Sequence, residues 1–398
     1  MKIVVGATAH PLPATDGMRL HVRHVLRHLR DRHDITLVSQ PSPGDDTSPG
    51  GLDEICSSYV PVTSNPSPLR DNRIARELVT LVSGRSKVLD ETIRSGLGET
   101  LERVVREVRP DVVHLETGAA AAFAGRLDAP IVVVPLDADD LNAEAYTRYA
   151  GGAVARWFAA REARRWKRFE QQAYAACDAV VLVGERDAEM LRRTDSRLDP
   201  VVIPNGVDTD DFTPPDGPRD SDVVVLHGAM DYPPNVDAAV FAATEILPEL
   251  HRLRPDARLV LAGRNPDERV RSLAGSHVEV TGEMPDLRPV LRSASVYLCP
   301  MRLGSGIKNK LLEAFACGCP TVATALATNG MGTVAGRDLL VAEDARGLAS
   351  ALAELLEDPH GRAAELGRSA RLRAEALSWE ATARSFEDLY RDVAERRR

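Results

Sequence analysis

The chain alternates short apolar runs with amphipathic stretches, which is the pattern of alternating strands and helices. Residues 2–8 (KIVVGAT) and 34–40 (DITLVSQ) are apolar runs of strand length. Between them, apolar residues recur roughly on one helical face, at Leu20, Val22, Val25, Leu26 and Leu29. Strand, turn, helix and strand in this order form a βαβ unit, and such units predict a doubly wound parallel sheet.

Further apolar runs continue this alternation. In the first half, strand-length runs lie at 110–117, 130–136 and 178–184, and helical patterns at 90–108 and 154–177. A polar, proline-rich passage at 201–215 has the composition of a linker. After this passage the alternation of strands and helices begins again, with strand-like runs at 222–228, 257–263, 277–281, 296–300 and 321–324. The pattern therefore predicts a second α/β domain, followed by helices to the end of the chain.

Composition narrows the class of protein. The 398 residues exceed the size of one ordinary core, so we expect two domains. A formal net charge of −9 argues against nucleic-acid binding, which requires a basic surface. No apolar run is long enough to span a bilayer, and the run near the N-terminus is too short for a signal peptide. The five scattered cysteines form no zinc-binding pattern, so we expect buried thiols in a reducing cytoplasm.

One glycine-rich stretch carries the clearest candidate chemistry. Residues 302–324 place a glycine turn between a strand and a helix, where backbone N–H groups and the helix dipole attract an anion. Lys308 and Lys310 stand at the start of that helix, although the chain has only five lysines among 50 basic residues. Lysine is a compact charge suited to phosphate, and the carboxylate of Glu313 suits ribose hydroxyls. The alternative is a surface loop with a solvated charge pair.

This stretch resembles the donor-binding half of retaining family-4 glycosyltransferases of the GT-B fold. The resemblance is carried by GSGIKNKLLEAFACGCPTV (304–322), by GAMDYPPNVDAA (228–239) and by IPNGVD (203–208) in the linker. Within the family, these three segments are most similar to those of a subgroup associated with exopolysaccharide synthesis. The resemblance implies an α/β protein with two Rossmann-like, doubly wound domains facing a cleft. The expected domains are 1–204 (acceptor-binding), 205–376 (donor-binding) and 377–398, a helix that packs back on the first domain.

By this resemblance the donor site lies in the second domain. Its expected residues are Gly228, Asn235, Gly263, Arg264, Met284, Arg302, Gly304, Ser305, Gly306, Ile307, Lys308, Lys310 and Glu313. Typical members carry an arginine and a lysine after the first of these glycines, and this chain has neither. The diphosphate is therefore assigned to Arg302, Lys308 and Lys310, and Lys310 is also expected to act in catalysis. The acidic residue that pairs with Glu313 in the family is absent, which leaves the identity of the sugar open.

In the first domain, candidate residues lie where strands or turns reach the expected cleft. Gly17 and Glu116 are expected on the acceptor side, and His114 and Asp137 are expected in catalysis. Glu116 stands where the family often has a histidine. Asp137 follows a strand at its carboxyl end, where open α/β sheets bind ligands, at about the place of another family histidine.

Three histidines of the first predicted helix, His21, His24 and His28, fall at helical spacing and could form a metal-binding face. Arginines interleave with them, however, and no carboxylate joins them. We therefore expect an exposed helix flank and no metal site.

The helix predicted between residues 151 and 175 is both basic and aromatic. Such a helix could lie on an anionic membrane, where a lipid-linked acceptor would be found. The plainer interpretation is a solvated arginine face with Trp157, Phe158 and Trp166 in the core, and this is the one we expect.

The resemblance implies transfer of a sugar from a nucleotide diphosphate sugar, with a UDP-sugar favoured, to an acceptor hydroxyl with retention of configuration. The acceptor would be a carbohydrate, a lipid-linked sugar or a small molecule. No cofactor, no essential metal and no nucleic-acid partner are expected. The expected state is a cytoplasmic monomer or homodimer, with peripheral contact to the inner face of a membrane left open. A nucleotide-sugar epimerase or hydrolase, or a noncatalytic partner subunit, would use the same fold and remains an alternative.

Overall fold

Runs of β-branched and aliphatic residues form the strands of two parallel sheets. Strands such as Val223–His227 are buried along their whole length, as expected where helices cover both faces of a sheet. A computed structural model describes residues 1–14, 16–63, 86–136, 152–304 and 307–397. The chain divides into two units, one formed by Met1–Pro204 with Trp379–Arg398 and the other by Asn205–Ser378.

The first unit is built on a parallel sheet. Its described strands are β1 (Lys2–Ala7), β2 (Asp34–Ser39), β3 (Ser58–Pro61), β4 (Val112–Glu116), β5 (Ile131–Leu136), β6 (Ala179–Leu182) and β7 (Val201–Val202). Their order across the sheet is β3-β2-β1-β4-β5-β6-β7. The order reverses between β1 and β4, which is the doubly wound arrangement that the sequence predicted.

Helices connect these strands. Those described are α1 (Gly17–Leu29), α2 (Pro49–Asp53), α3 (Lys87–Arg94), α4 (Leu97–Val108), α5 (Gly152–Tyr174) and α6 (Glu185–Thr194), with a 3₁₀ segment at Gly118–Arg126. The single helix expected over 90–108 is two helices. Gly96 interrupts it with φ of 85°, a left-handed conformation that a helix interior does not accommodate.

The second unit repeats the arrangement. Its strands are β8 (Val223–His227), β9 (Arg258–Ala262), β10 (Val278–Gly282), β11 (Val296–Cys299), β12 (Thr321–Ala323) and β13 (Leu340–Val341), in the order β10-β9-β8-β11-β12-β13. Its helices are α7 (Pro233–Phe241), α8 (Leu247–His251), α9 (Glu268–Arg271), α10 (Arg288–Ser293), α11 (Asn309–Ala316), α12 (Ala345–Glu357) and α13 (Arg362–Ala376). The described strands of both units are parallel, as expected for an α/β fold.

The last helix, α14 (Trp379–Arg396), belongs to the first unit. Its buried residues Trp379, Phe386 and Tyr390 share a core with Val25 and Leu26 of α1. The unit boundary falls two residues later than the expected 376. Residues 377–378 stay with the second unit because the backbone N–H of residue 207 donates to the carbonyl of residue 377 at 2.9 Å.

The histidine face of α1 is buried, not exposed. His24 stacks on Trp379 with ring centroids 5.0 Å apart, and His21 meets Phe386 edge-on at 5.5 Å. The expectation of an exposed flank was wrong for these two histidines, because α14 covers that side of α1. Among the described residues, no group of three or more His, Cys, Asp or Glu side chains is arranged to hold a metal ion.

The aromatic residues of α5 divide between core and surface. Trp166 is buried, but Trp157 and Phe158 are 53 % and 52 % exposed. The expectation that all three lie in the core was therefore wrong for the first two, which stack edge-on against each other at 5.0 Å. No helix of the described residues combines the length and apolar character needed to cross a membrane.

The five cysteines are all free thiols. Four are buried and Cys177 is half-buried. Burial raises the pKa of Cys177 and of Cys317 to about 12, so both stay neutral at physiological pH. The expectation of buried thiols is met by four of the five and not by Cys177, and Cys317 and Cys319 lie in the core of the second unit.

Candidate active site

The strand order of the second sheet creates a switch point. Its first strand, β8, lies between β9 on one side and β11 on the other. In open α/β sheets, ligands bind beyond the carboxyl ends of the strands at the place where the order reverses. The loops that follow β8 and β11 both start there, and both carry residues that the sequence singled out.

Two predicted glycines meet at this edge. Gly228 and Gly263 follow β8 and β9, and both have φ of 149°, which residues with a side chain rarely adopt. A Cβ atom on Gly263 would lie 1.8 Å from the carbonyl oxygen of Gly228. The N–H of Gly228 donates to the carbonyl of Ala262 at 3.0 Å and holds the strand ends together. Glycine is therefore required here by close backbone approach, and the atoms nearest the missing side chain of Gly228 belong to Asn235 and Lys310.

Lys310 extends from the first turn of α11 to the same place. Its Nζ donates to Asn235 Oδ1 and lies 3.9 Å from the sulfur of Met301. A Cβ atom on Gly228 would lie 3.2 Å from Lys310 Nζ, which measures how closely the ammonium approaches the strand end. Burial lowers the pKa of Lys310 to about 8, and the nearby charge of Lys308 lowers it too.

Lys308 caps the start of α11. It is only 7 % exposed, and a Cβ atom on Gly304 would lie 3.6 Å from its Nζ. Two amino groups thus share the first turn of a helix whose dipole is positive at that end. Bringing two cations together away from water is unfavourable, and an anion bound between them would compensate for it.

Glu313 lies one turn further along α11. Its carboxylate is 2.8 Å from Nε2 of His227, the last residue of β8. His227 is 2 % exposed, whereas the Glu313 side chain is 20 % exposed. Sequence analysis missed His227. The available signal was a polar residue ending an otherwise aliphatic strand immediately before Gly228.

Arg302 does not join this group. Its guanidinium pairs with Asp237 at 2.8 Å and with Glu245 at 3.8 Å, and its Cζ lies 4.2 Å from the ring centroid of Phe241. This geometry does not support the expectation that Arg302 holds the diphosphate, because the carboxylates of Asp237 on α7 and of Glu245 beyond its end already balance the charge of Arg302.

The remaining donor candidates that the structure describes lie in the loops after β9, β10 and β11. Gly304 has φ of 101°, and Ile307 packs on the second core. Ser305 and Gly306 lie outside the described residues. On the other side, the carbonyl of Arg264 accepts from the Met230 N–H at 2.9 Å, while Met284 is half-buried in the loop after β10.

His114 and Glu116 lie in the interior of the first unit. The two side chains lie on the same face of β4. His114 Nε2 is 2.7 Å from the Glu116 carboxylate, and His21 Nδ1 is 3.1 Å from it. His114 Nδ1 is 2.5 Å from the hydroxyl of Tyr390 on α14. Both ring nitrogens of His114 are occupied and both residues are buried, so this geometry does not support their expected roles towards substrate.

Burial alone would raise the pKa of Glu116. The charges and hydrogen bonds of His21 and His114 outweigh burial and lower that pKa to about 2. Glu116 is therefore a buried carboxylate that ties β4, α1 and α14 together. The network has a stabilising role that the spacing of residues along the strand could not reveal.

The other first-unit candidates are less informative. Gly17 is the exposed first residue of α1, and Asp16 before it caps the helix by accepting from the N–H of Arg19 at 3.0 Å. Asp137 lies outside the described residues. The structure therefore brings Gly228, Gly263, Asn235, Lys308, Lys310 and Glu313 to one edge of the second sheet, whereas His114 and Glu116 contact each other in the interior of the first unit.

Known structures resemble the whole chain. Sucrose-phosphate synthase from Thermosynechococcus elongatus matches with a TM-score of 0.71, 20% sequence identity and 99% coverage of both chains. HepE from Anabaena, solved in complex with UDP, matches with a TM-score of 0.69 and 14% identity over 98% of this chain and 100% of that one. The two doubly wound sheets and these neighbours define the GT-B fold.

Family comparisons agree with the fold. Residues 15–211 match the family described as Glycosyltransferase Family 4, and residues 221–358 match the family described as Glycosyl transferases group 1. The chain therefore carries a family 4 and a group 1 glycosyltransferase domain on a GT-B fold. Residues 212–220 fall between the two matches.

Curated relatives point to the same class. The chain is 33% identical over 208 residues to a phosphatidyl-myo-inositol mannosyltransferase of Mycolicibacterium smegmatis, covering 49% of this chain and 53% of the relative. It is 34% identical over 266 residues to a D-inositol 3-phosphate glycosyltransferase of Kineococcus radiotolerans, covering 57% and 60%. The chain thus spans between half and two thirds of the length of these two relatives.

Proposed function

We propose that the protein transfers a sugar from a nucleotide diphosphate sugar to a hydroxyl group of an acceptor. The observation that carries the proposal is the pair of amino groups at the start of α11, with Lys308 Nζ beside Gly304 and Lys310 Nζ beside Gly228. A diphosphate carries enough negative charge for both amino groups, and the N-terminus of a helix favours a bound anion.

The proposed chemistry follows from where charge develops. When the bond between the anomeric carbon and the diphosphate breaks, negative charge grows on the departing phosphate oxygen. The ammonium groups of Lys308 and Lys310 and the N-terminus of α11 stabilise that charge. These groups take the role that a divalent cation has in other transferases, so we expect activity to survive EDTA. Retention of configuration belongs to the proposal through the family resemblance.

The nucleoside would occupy the neighbouring part of the edge. Glu313 has one carboxylate oxygen held by His227, and we assign the other to the ribose hydroxyls. The loops at Arg264 and Met284 follow the two strands beyond Gly228 and are assigned to the base. UDP is the favoured nucleotide because a structural neighbour, Anabaena HepE, was solved with UDP and with UDP-glucose.

For the acceptor we propose a carbohydrate or cyclic polyol hydroxyl, free or lipid-linked. The names of the two relatives mention phosphatidyl-myo-inositol and D-inositol 3-phosphate, and both compounds contain an inositol ring. Both are also named as transferases, and no observation favours the epimerase, hydrolase or noncatalytic alternatives. Action in the cytoplasm by a monomer or homodimer completes the proposal.

The test is ligand-induced stabilisation with UDP, GDP and ADP, followed by a transfer assay with the matching donor sugars. A ligand at 100 times its Kd stabilises a protein by about 2.7 kcal/mol, which a thermal unfolding assay detects readily. Lys310→Met should abolish most of the shift, and Lys167→Met, an exposed lysine on α5, should not change it. If no nucleoside diphosphate stabilises the wild type, the proposed function fails.

A further inference from the structure

Opposite charges share one face of α11. Lys310 and Glu313 are three residues apart, a spacing that brings side chains of a helix together and favours an ion pair. Both belong to the described residues, and they form no ion pair with each other. Each is instead bound to a polar side chain from a different element, His227 for Glu313 and Asn235 for Lys310.

His227 is built into the sheet as the partner of Glu313. Its ring is 2 % exposed and lies 5.5 Å from the ring of Tyr297 on β11. Nε2 is 2.8 Å from the carboxylate, and Nδ1 is buried without a hydrogen-bond partner. A neutral imidazole therefore needs its proton on Nε2 to donate to Glu313. A buried histidine with an unsatisfied second nitrogen is costly to stability, which indicates a role for the remaining contact.

Asn235 holds Lys310 in a similar way. It lies in the first turns of α7 and is 4 % exposed. Its Oδ1 accepts from Lys310 Nζ, and its Nδ2 donates to the carbonyl of Ala229 at 2.8 Å. The second hydrogen bond fixes which way the amide points, so the oxygen faces the ammonium. Asn235 therefore sets the position of the cation without neutralising it.

We infer that His227 and Asn235 are positioning residues that keep Glu313 and Lys310 apart, so that the carboxylate stays available to ribose and the ammonium to the diphosphate. This inference rests on the proposed function. A direct Lys310–Glu313 pair would satisfy both charges internally, and a donor would have to break it before binding. Separate partners avoid that competition because each supplies a hydrogen bond to one charged group and holds it away from the other.

The inference is tested with two probes, inorganic pyrophosphate and UDP, and with His227→Leu, which removes the hydrogen bond at similar volume. Without its partner, the Glu313 carboxylate should turn to Lys310. We expect pyrophosphate to bind about tenfold more weakly, as when a charged group is captured by a competing partner. UDP binding should fall at least as much, because it loses the ribose contact as well.

A second substitution separates positioning from simple damage to the fold. Adding Glu313→Gln to His227→Leu removes the competing charge, so pyrophosphate affinity should return towards that of the wild type. His227→Gln, whose amide N–H can replace Nε2–H, should keep the affinity of the wild type for both probes. Circular dichroism and the unfolding midpoint of each variant show whether it is folded.

The outcomes distinguish the inference from the proposed function. If the wild type binds UDP but His227→Leu binds pyrophosphate as tightly as the wild type, the inference is wrong and the proposed function stands. If the double variant stays as weak as His227→Leu while remaining folded, the inference is also wrong. If the wild type binds neither probe, the proposed function itself fails.

Discussion

Lys310 gives a sharp prediction, because its charge is both partly buried and assigned to the diphosphate. Burial is the largest cause that lowers its pKa, from 10.5 to about 8. Raising the pH from 7.5 to 9 should therefore deprotonate the Lys310 ammonium in most molecules of the free protein. The phosphate groups of UDP are already fully ionised across this range, since their last pKa is about 6. A loss of affinity in this window that the variants of Lys310 do not share reports on the titration of Lys310.

The expected magnitude follows directly. At pH 9, one unit above a pKa of about 8, about one tenth of the free protein keeps the Lys310 proton, so UDP should bind about tenfold more weakly, or about 1.4 kcal/mol. Binding should take up a proton at pH 9. Titration calorimetry at constant ionic strength, in two buffers of different ionisation enthalpy, measures both the affinity and the proton uptake.

Two variants serve as controls. Lys310→Arg keeps its charge throughout this range and should give an affinity independent of pH. Lys310→Met should bind weakly at every pH and show no proton uptake. A wild-type affinity that stays constant up to pH 9, or a slope that survives in Lys310→Met, would show that Lys310 is not the titrating group.

The lowered pKa of Lys310 has the opposite effect on the stability of the free protein as the pH rises. The folded state releases the Lys310 proton near pH 8, whereas the unfolded chain keeps it up to about 10.5. Between these values the unfolded state binds more protons, so this group makes the free energy of unfolding rise with pH. Affinity and stability should therefore move in opposite directions over this range, which a general alkaline loss of structure would not produce.

Three further predictions concern the framework. Gly263→Ala should lower both stability and UDP affinity, because the new Cβ would lie 1.8 Å from the backbone of Gly228. The control is Gly275→Ala, whose new Cβ would have one neighbouring atom, 3.9 Å away. Thermal unfolding with and without UDP measures stability and affinity. Trp379→Ala should cost about 3–5 kcal/mol in urea unfolding because it empties a buried site, whereas exposed Trp157→Ala should cost less than about 0.5 kcal/mol. Glu116→Gln should make the free energy of unfolding depend less on pH in the acid range. The pKa of Glu116 is lowered from 4.5 to about 2 in the folded protein, so its carboxylate stabilises the fold by about 3 kcal/mol above pH 4.5. This contribution is lost as the pH falls to 2.

Each of these has a contrary result. Equal effects of the two glycine substitutions would mean that the close approach of the strand ends is not required. Equal effects of the two tryptophan substitutions would contradict the packing of α14 on α1. An unchanged slope between pH 4.5 and 2 in the glutamine variant would show that Glu116 does not carry the acid dependence.

The sequence by itself determined the architecture, because strand and helix patterns depend on local periodicity. The apolar runs predicted the parallel doubly wound sheets, and the polar passage around Asn205 marked the division between the two units. The position of the glycine-rich turn before α11 was also readable, since glycine and proline act on the backbone locally. For the same reason the pairing of Lys308 and Lys310 with a helix start could be inferred from spacing alone.

Only the tertiary structure decided which side chains meet. The sequence assigned both Arg302 and Lys310 to the diphosphate, yet Arg302 pairs with two carboxylates whereas Lys310 donates to Asn235. His114 looked like a strand-end ligand, but α14 returns from the far end of the chain to cover it. Contacts between residues separated by hundreds of positions depend on packing, which periodicity does not encode. That is why the fold could be predicted from the sequence, whereas the partners of His227, Glu313 and Lys310 could not.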